Sequence, residues 1–202
     1  MPTATSIVDA IGDIERWFRT LPAFDSPPVY GKGTVVGSFG PTILAEGDAT
    51  LHTARALVDR GIPWDHLHLE LALTKWLWAS PHAASLLPPR RIDLAVISPA
   101  ALMAAHLPDT IGQLVFDAFL EFKYGSGFWQ HGVSFGYPKK IIHDVEGDVE
   151  KLVRCLEAGI CRSAHVVCFE QVDHGFDAEF MARSQAQHSG LRVHLVRAWN
   201  PS

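Results

Sequence analysis

Apolar side chains at Ile7, Val8, Ile11, Ile14, Trp17 and Phe18 recur at helical spacing, with Thr5 or Ser6 ahead of them as candidate N-caps. The chain therefore opens with a helix that runs to about Thr20. Proline and glycine break the pattern from Pro22 to Gly47, where Thr34-Val35-Val36 and Thr42-Ile43-Leu44 are the strand-like pieces. A second helix covers His52 to Asp59 and stops at Gly61. The segment Leu67 to Trp78 is apolar on nearly every side and reads as a buried helix, although the alternation from Leu67 to Leu73 also suits a strand. Two strands follow, Arg91 to Ser98 and Leu114 to Tyr124, with a short Ala-rich helix from Pro99 to His106 between them. Beyond a glycine and aromatic loop, Val145, Val149, Leu152, Val153 and Leu156 mark an amphipathic helix closed by Gly159. A buried strand at His165 to Glu170, a helix capped by Asp177 and a last strand from Leu191 to Trp199 complete the pattern. There is no internal repeat and no low-complexity segment.

Charged residues interrupt two of these apolar strands. Asp93 sits in Arg91-Ile92-Asp93-Leu94-Ala95-Val96-Ile97, and Glu121-Phe122-Lys123 ends the run from Leu114. Residues two apart in a strand point to the same side, so Glu121 and Lys123 share one face while Ala118, Leu120 and Phe122 form the other. Asp117 falls on the Glu121 face and is a secondary candidate. A carboxylate from each of two strands suits a hard divalent cation, and a nearby ammonium suits a water or a phosphate oxygen. The same residues on a solvent-facing edge strand would be an ordinary surface ion pair worth little energy.

Composition narrows the class. With 202 residues, 48% hydrophobic and 19% charged, the chain can bury a core as a single domain over 1–202, with 1–60 as an N-terminal extension and 65–199 as the main body. No apolar run reaches the length of a membrane span, and Asp9, Asp13 and Glu15 do not fit a signal peptide, so no membrane association and a cytoplasmic location are expected. Cys155, Cys161 and Cys168 form no CxxC pair and read as reduced thiols. The formal charge of −5 argues against a protein that coats nucleic acid nonspecifically; Arg90-Arg91, Lys139-Lys140 and Arg162 offer a local basic rim instead.

The order helix, strands, strand with Glu-x-Lys, helix, strand over about 65–170 resembles the PD-(D/E)XK nuclease superfamily. The resemblance implies an α/β fold of restriction endonuclease type, with a central mixed sheet of four to five strands flanked by helices. It implies Asp93 and Glu121 as ligands of Mg2+, with Mn2+ as a substitute, and Lys123 as the lysine that positions or activates water. Glu70 resembles the extra acidic residue that many members supply from their first core helix. The helix around Asp148-Val149-Glu150-Lys151-Leu152 looks like the one that follows the catalytic hairpin. Two departures stand out: Ile92 replaces the proline before the aspartate, and 28 positions separate Asp93 from Glu121 (121 − 93), so an insertion is required. The implied activity is metal-dependent phosphodiester hydrolysis, with DNA as the expected partner and a homodimer left open. A relative that has lost catalysis and serves as a binding or assembly module is the alternative.

Other patterns have blander readings. Asp148 and Lys151 have the spacing of a helix surface pair, and Glu70 on an apolar segment can simply reach solvent or pair with Lys75 or an arginine. Gly132-Val133-Ser134-Phe135-Gly136 fits GxSxG, so a serine hydrolase centred on Ser134, with Asp173 and His174 or His188, is a further alternative; Pro138 sits close behind where an elbow needs a helix. Phe128, Trp129, Phe135 and Tyr137 are read as packing rather than base-stacking residues. Gly31-Lys32-Gly33 suits a turn, and the eleven histidines are scattered without a zinc pattern.

Overall fold

A computed structural model describes residues 4–20, 46–73, 91–98, 115–125, 129–130, 133–134, 137–170 and 178–197. Helix α1 spans Ala4–Thr20 and α2 spans Glu46–Asp59; a short 3-10 turn at Trp64–His66 leads into β1, Leu67–Ala72. Strands β2, Arg91–Ile97, and β3, Phe116–Gly125, follow, then a small hairpin of β4, Trp129–Gln130, and β5, Val133–Ser134. Helix α3, Tyr137–Glu157, precedes β6, Cys161–Glu170, and helix α4, Ala178–Gln185, precedes β7, Leu191–Arg197.

Five strands form one mixed sheet in the order β1-β2-β3-β6-β7. The first three run as an antiparallel meander, whereas β3, β6 and β7 are parallel. A parallel neighbour requires a crossover, and α3 supplies it between β3 and β6 as α4 does between β6 and β7. The fold is therefore α/β, with a central mixed sheet flanked by four helices, as the strand and helix pattern implied.

Each face of the sheet is closed by a helix pair. Val145, Val149 and Leu152 of α3 and Phe180 of α4 pack against Ala95, Ile97, Phe119, Ala164, Val166 and Cys168. On the opposite face Ile7, Ile11, Ile14 and Phe18 of α1 and Leu57 of α2 meet Leu94, Val96, Leu120, Phe122, Val167 and Phe169. The segment expected as an N-terminal extension thus shares one core with the sheet through these two helices. Phe18 and Phe169 pack edge to face, with ring centroids 5.4 Å apart. All three cysteines are free and buried, as expected of reduced thiols, and burial pushes the Cys155 thiol up to about 12.

The apolar segment beginning at Leu67 is a strand over Leu67–Ala72 rather than a helix, because the alternation lays it along the edge of the sheet, where Leu69 remains 43% exposed. Thr5 and Ser6 lie inside the first turn of α1 and not ahead of it. Helix α2 begins at Glu46, earlier than the apolar periodicity indicated. The two helix stops behave as read: Gly61 and Gly159 adopt φ of 87° and 66°, and the N–H groups of Ile62 and Ile160 turn back to the carbonyls of Leu57 and Cys155. The strand-like pieces at 34–36 and 42–44, the helix at 99–106 and the cap at Asp177 lie outside the described residues. Among the described residues no helix is long and apolar enough to cross a membrane.

Candidate functional site

The site lies where β2 and β3 part company. Their ladder pairs Ile97 with Phe116 and ends at Leu94 opposite Leu120, a register that brings Asp93 opposite Glu121. There the backbone N–H of Phe122 donates to Asp93 Oδ2 at 2.8 Å, so a side chain takes a place in the ladder that a main-chain carbonyl would otherwise hold. Asp93, Glu121 and Lys123 consequently share the sheet face that α3 covers. Phe122, between the two charged residues, points into the opposite core and is fully buried.

Helix α3 adds two residues to this group. Lys151 Nζ lies 2.7 Å from Glu121 Oε1 and 2.9 Å from Asp148 Oδ1, and it donates to the carbonyl oxygen of Arg91 at 3.2 Å. Asp148 Oδ2 in turn lies 2.9 Å from Lys123 Nζ, which also donates to the Phe122 carbonyl at 3.1 Å. Glu121 is 2% exposed and Lys151 6% by side chain, whereas Asp148 and Lys123 reach 14% and 17%. The group therefore opens toward solvent on the Asp148 and Lys123 side. Asp148 and Lys151 are not the surface pair that their spacing indicated. Asp148 follows Val145 by three residues and precedes Leu152 by four, so it falls on the flank of the buried stripe of α3.

Three carboxylates and two ammonium groups stand in this cluster. Burial raises Asp93 above its ordinary range, opposed by the Phe122 hydrogen bond and by Lys123 and Lys151, while Asp148 adds to the rise. Burial also pushes Glu121 well above the ordinary carboxylate range; Lys151 opposes this, and Asp93 and Asp148 reinforce it. For Lys151, burial favours the neutral amine, but Glu121 and Asp148 together outweigh it and the ammonium is held above its ordinary value. The carboxylates thus repel one another in a partly dry setting, which is the electrostatic situation that a divalent cation relieves.

The remaining candidates fall elsewhere. Glu70 lies on β1, 60% exposed by side chain, with Oε2 3.6 Å from Arg91 Nη1. It is the one non-glycine residue with positive φ among those described, at 52°, so the edge strand is locally bent at this acid. Glu70 is therefore a rim residue on a strand and not a helix-borne member of the cluster. Asp117 shares the face of Glu121 but is bound by Arg162 Nη1 at 2.9 Å, near the other end of β3. Ser134 ends β5, paired with Trp129 in the small hairpin, and His188 accepts a hydrogen bond from the N–H of Gly190. Asp173 and His174 lie outside the described residues.

An all-oxygen donor set fits a hard divalent ion such as Mg2+ or Mn2+. Among the described residues no three or more His, Cys, Asp and Glu side chains form a ready-made metal cage. Mg2+ commonly takes one or two carboxylates and completes its shell with water and phosphate oxygens, and Asp93 and Glu121 are the residues that would hold it. Comparison with known protein families, curated proteins and solved structures finds no match for this chain.

Proposed function

We propose that the chain is a Mg2+-dependent nuclease of the PD-(D/E)XK type, hydrolysing phosphodiester bonds in nucleic acid, with DNA as the substrate. The observation that carries this reading is the convergence of Asp93, Glu121 and Lys123 at the fork between β2 and β3. The order of three antiparallel strands, a crossover helix and a parallel strand around that fork supports it. In this reading Asp93 and Glu121 hold the metal. When bound, the metal supplies Lewis acidity toward a phosphoryl oxygen and lowers the pKa of a coordinated water.

The chain's own part is positioning. Asp93 is oriented by the Phe122 N–H, which donates to its Oδ2 and so fixes the way the carboxylate faces. Lys123, held by Asp148 at 2.9 Å on the more open side of the cluster, supplies a positive charge for a phosphoryl oxygen or an attacking water. Arg91, 72% exposed by side chain at the start of β2, lies next to the cluster and offers a contact for the nucleic-acid backbone.

The test is cleavage of linear and supercoiled DNA with and without Mg2+. Asp93→Ala and Lys123→Ala are expected to abolish cleavage while circular dichroism shows an intact fold. Undiminished cleavage in both variants would refute the assignment. A second reading keeps the fold without catalysis, as a binding module, and the burial of Glu121 against Lys151 favours it. It predicts no cleavage by the native protein with either Mg2+ or Mn2+.

A further inference from the structure

The Lys151 ammonium occupies a berth made of oxygens. Glu121 Oε1, Asp148 Oδ1 and the Arg91 carbonyl surround Nζ at 2.7, 2.9 and 3.2 Å, two carboxylates and a main-chain carbonyl contributed by β3, α3 and β2. These are the donor types that hard metal cations take, at the longer distances that an ammonium requires. One of the three, Glu121, is also a carboxylate of the proposed metal pair. An ammonium and a divalent cation cannot both sit close to one buried carboxylate without strong mutual repulsion, because little water is present to screen them.

We propose that Lys151 is a resident cation that competes with the divalent metal for Glu121, so that metal entry requires the ammonium to leave its three-oxygen berth. The inference rests on the nuclease reading of Asp93 and Glu121. It assigns Lys151 a regulatory role that the helix spacing alone did not indicate. Without a metal, Lys151 offsets the repulsion among Asp93, Glu121 and Asp148 and keeps the fork folded. With a metal, that duty passes to the ion. The freed ammonium has a four-carbon stem long enough to reach the solvent side, where Asp148 and Lys123 already emerge. Metal affinity is therefore set by competition within the protein as well as by the ligands. A cell whose free Mg2+ falls would find the site closed by its own lysine.

The competition is read from Mn2+ binding, followed by the electron paramagnetic resonance of the free ion, on the full native chain and on Lys151→Gln and Lys151→Arg. Lys151→Gln, which keeps a hydrogen-bond donor but no charge, is expected to bind Mn2+ at least tenfold more tightly than the native chain. Lys151→Arg, which keeps the charge, is expected to show no such gain. Equal or weaker binding by Lys151→Gln, while the native chain binds Mn2+, overturns the competition and leaves the nuclease reading standing. Absence of Mn2+ binding in the native chain and in Lys151→Gln alike removes the metal reading and the competition with it.

Should Lys151→Gln fail to fold, the native chain still decides the matter. Acetylation of lysines by an N-hydroxysuccinimide ester, mapped by mass spectrometry, should find Lys151 protected without metal and several-fold more reactive at saturating Mn2+. Protection that persists at saturating Mn2+ overturns the proposal.

Discussion

His165 and His194 give the molecule an acid sensitivity whose size can be worked from their surroundings. The two rings lie on adjacent strands β6 and β7, with Nδ1 of His165 3.0 Å from Nε2 of His194 and the ring planes 17° apart. A hydrogen bond between two imidazoles needs one donor and one acceptor, which two protonated rings cannot provide. His165 is 1% exposed, and burial, then His194 and Arg192, lower it to about 3; burial and Arg192 lower His194 to about 4. Both folded values lie below the ordinary 6.5, so the unfolded chain takes up protons first as pH falls. The pair's contribution to stability is complete above about pH 6.5 and declines from there toward pH 4 and below.

At about 1.36 kcal/mol per pH unit for each ring, lowering the pH to about 4.5 should remove about 5 kcal/mol from the two together, comparable to the whole stability of a typical domain. Asp93 and Glu121 act in the opposite sense: a buried acid whose folded pKa is raised favours the folded state as pH falls, so the native profile alone mixes both effects. The double variant His165→Asn and His194→Gln separates them, since the two amides can reproduce the hydrogen bond without titrating. Urea unfolding followed by circular dichroism at several pH values between about 7.5 and 4.5 measures the difference. The native chain should lose several kcal/mol more than the double variant across that interval. Parallel profiles for the two proteins would refute the assignment of acid sensitivity to this pair.

Two other outcomes follow from the packing. Replacing Glu121 by Leu removes one of the two carboxylates that hold the buried Lys151 ammonium, leaving Asp148 and the Arg91 carbonyl, and should cost about 1.5 to 3 kcal/mol, whereas adding Lys151→Met should recover part of it. A double-mutant cycle by urea titration should return a coupling above about 1 kcal/mol, and additive effects would show that the two groups do not interact. Gly159→Ala has open space for its methyl group but must hold φ at 66°, so a thermal melt should register a loss of about 1 to 2 kcal/mol. An unchanged melting temperature would mean that the stop of α3 relaxes.

The legible parts of the site were those carried by short-range pattern. Acids and a lysine inside apolar strands stood out because a buried strand rarely carries such side chains without a partner, and Asp93, Glu121 and Lys123 do share a face. Asp148 and Lys151 were harder to read. Their i and i+3 spacing is that of countless exposed pairs, and what made them part of the cluster was the docking of α3 on the sheet, which turned the flank of its apolar stripe onto β3. The available signal was the position of Asp148 one helical turn from Val145 and Leu152, and of Lys151 one turn before Cys155. Glu70 was ambiguous for a related reason, since Leu67 to Leu73 satisfies both periodicities and pairing with β2 decided for the strand.

Local sequence chemistry determined the succession of helices and strands apart from β1, the helix stops at Gly61 and Gly159 and the charged face of β3, because periodicity, the glycine φ and strand alternation act within a few residues. Tertiary structure decided which strands lie side by side, that α1 and α2 close the second face, and which cation meets Glu121. Those outcomes depend on contacts between residues tens of positions apart. Burial and opposite charge act between such residues only where the sheet and α3 hold them side by side.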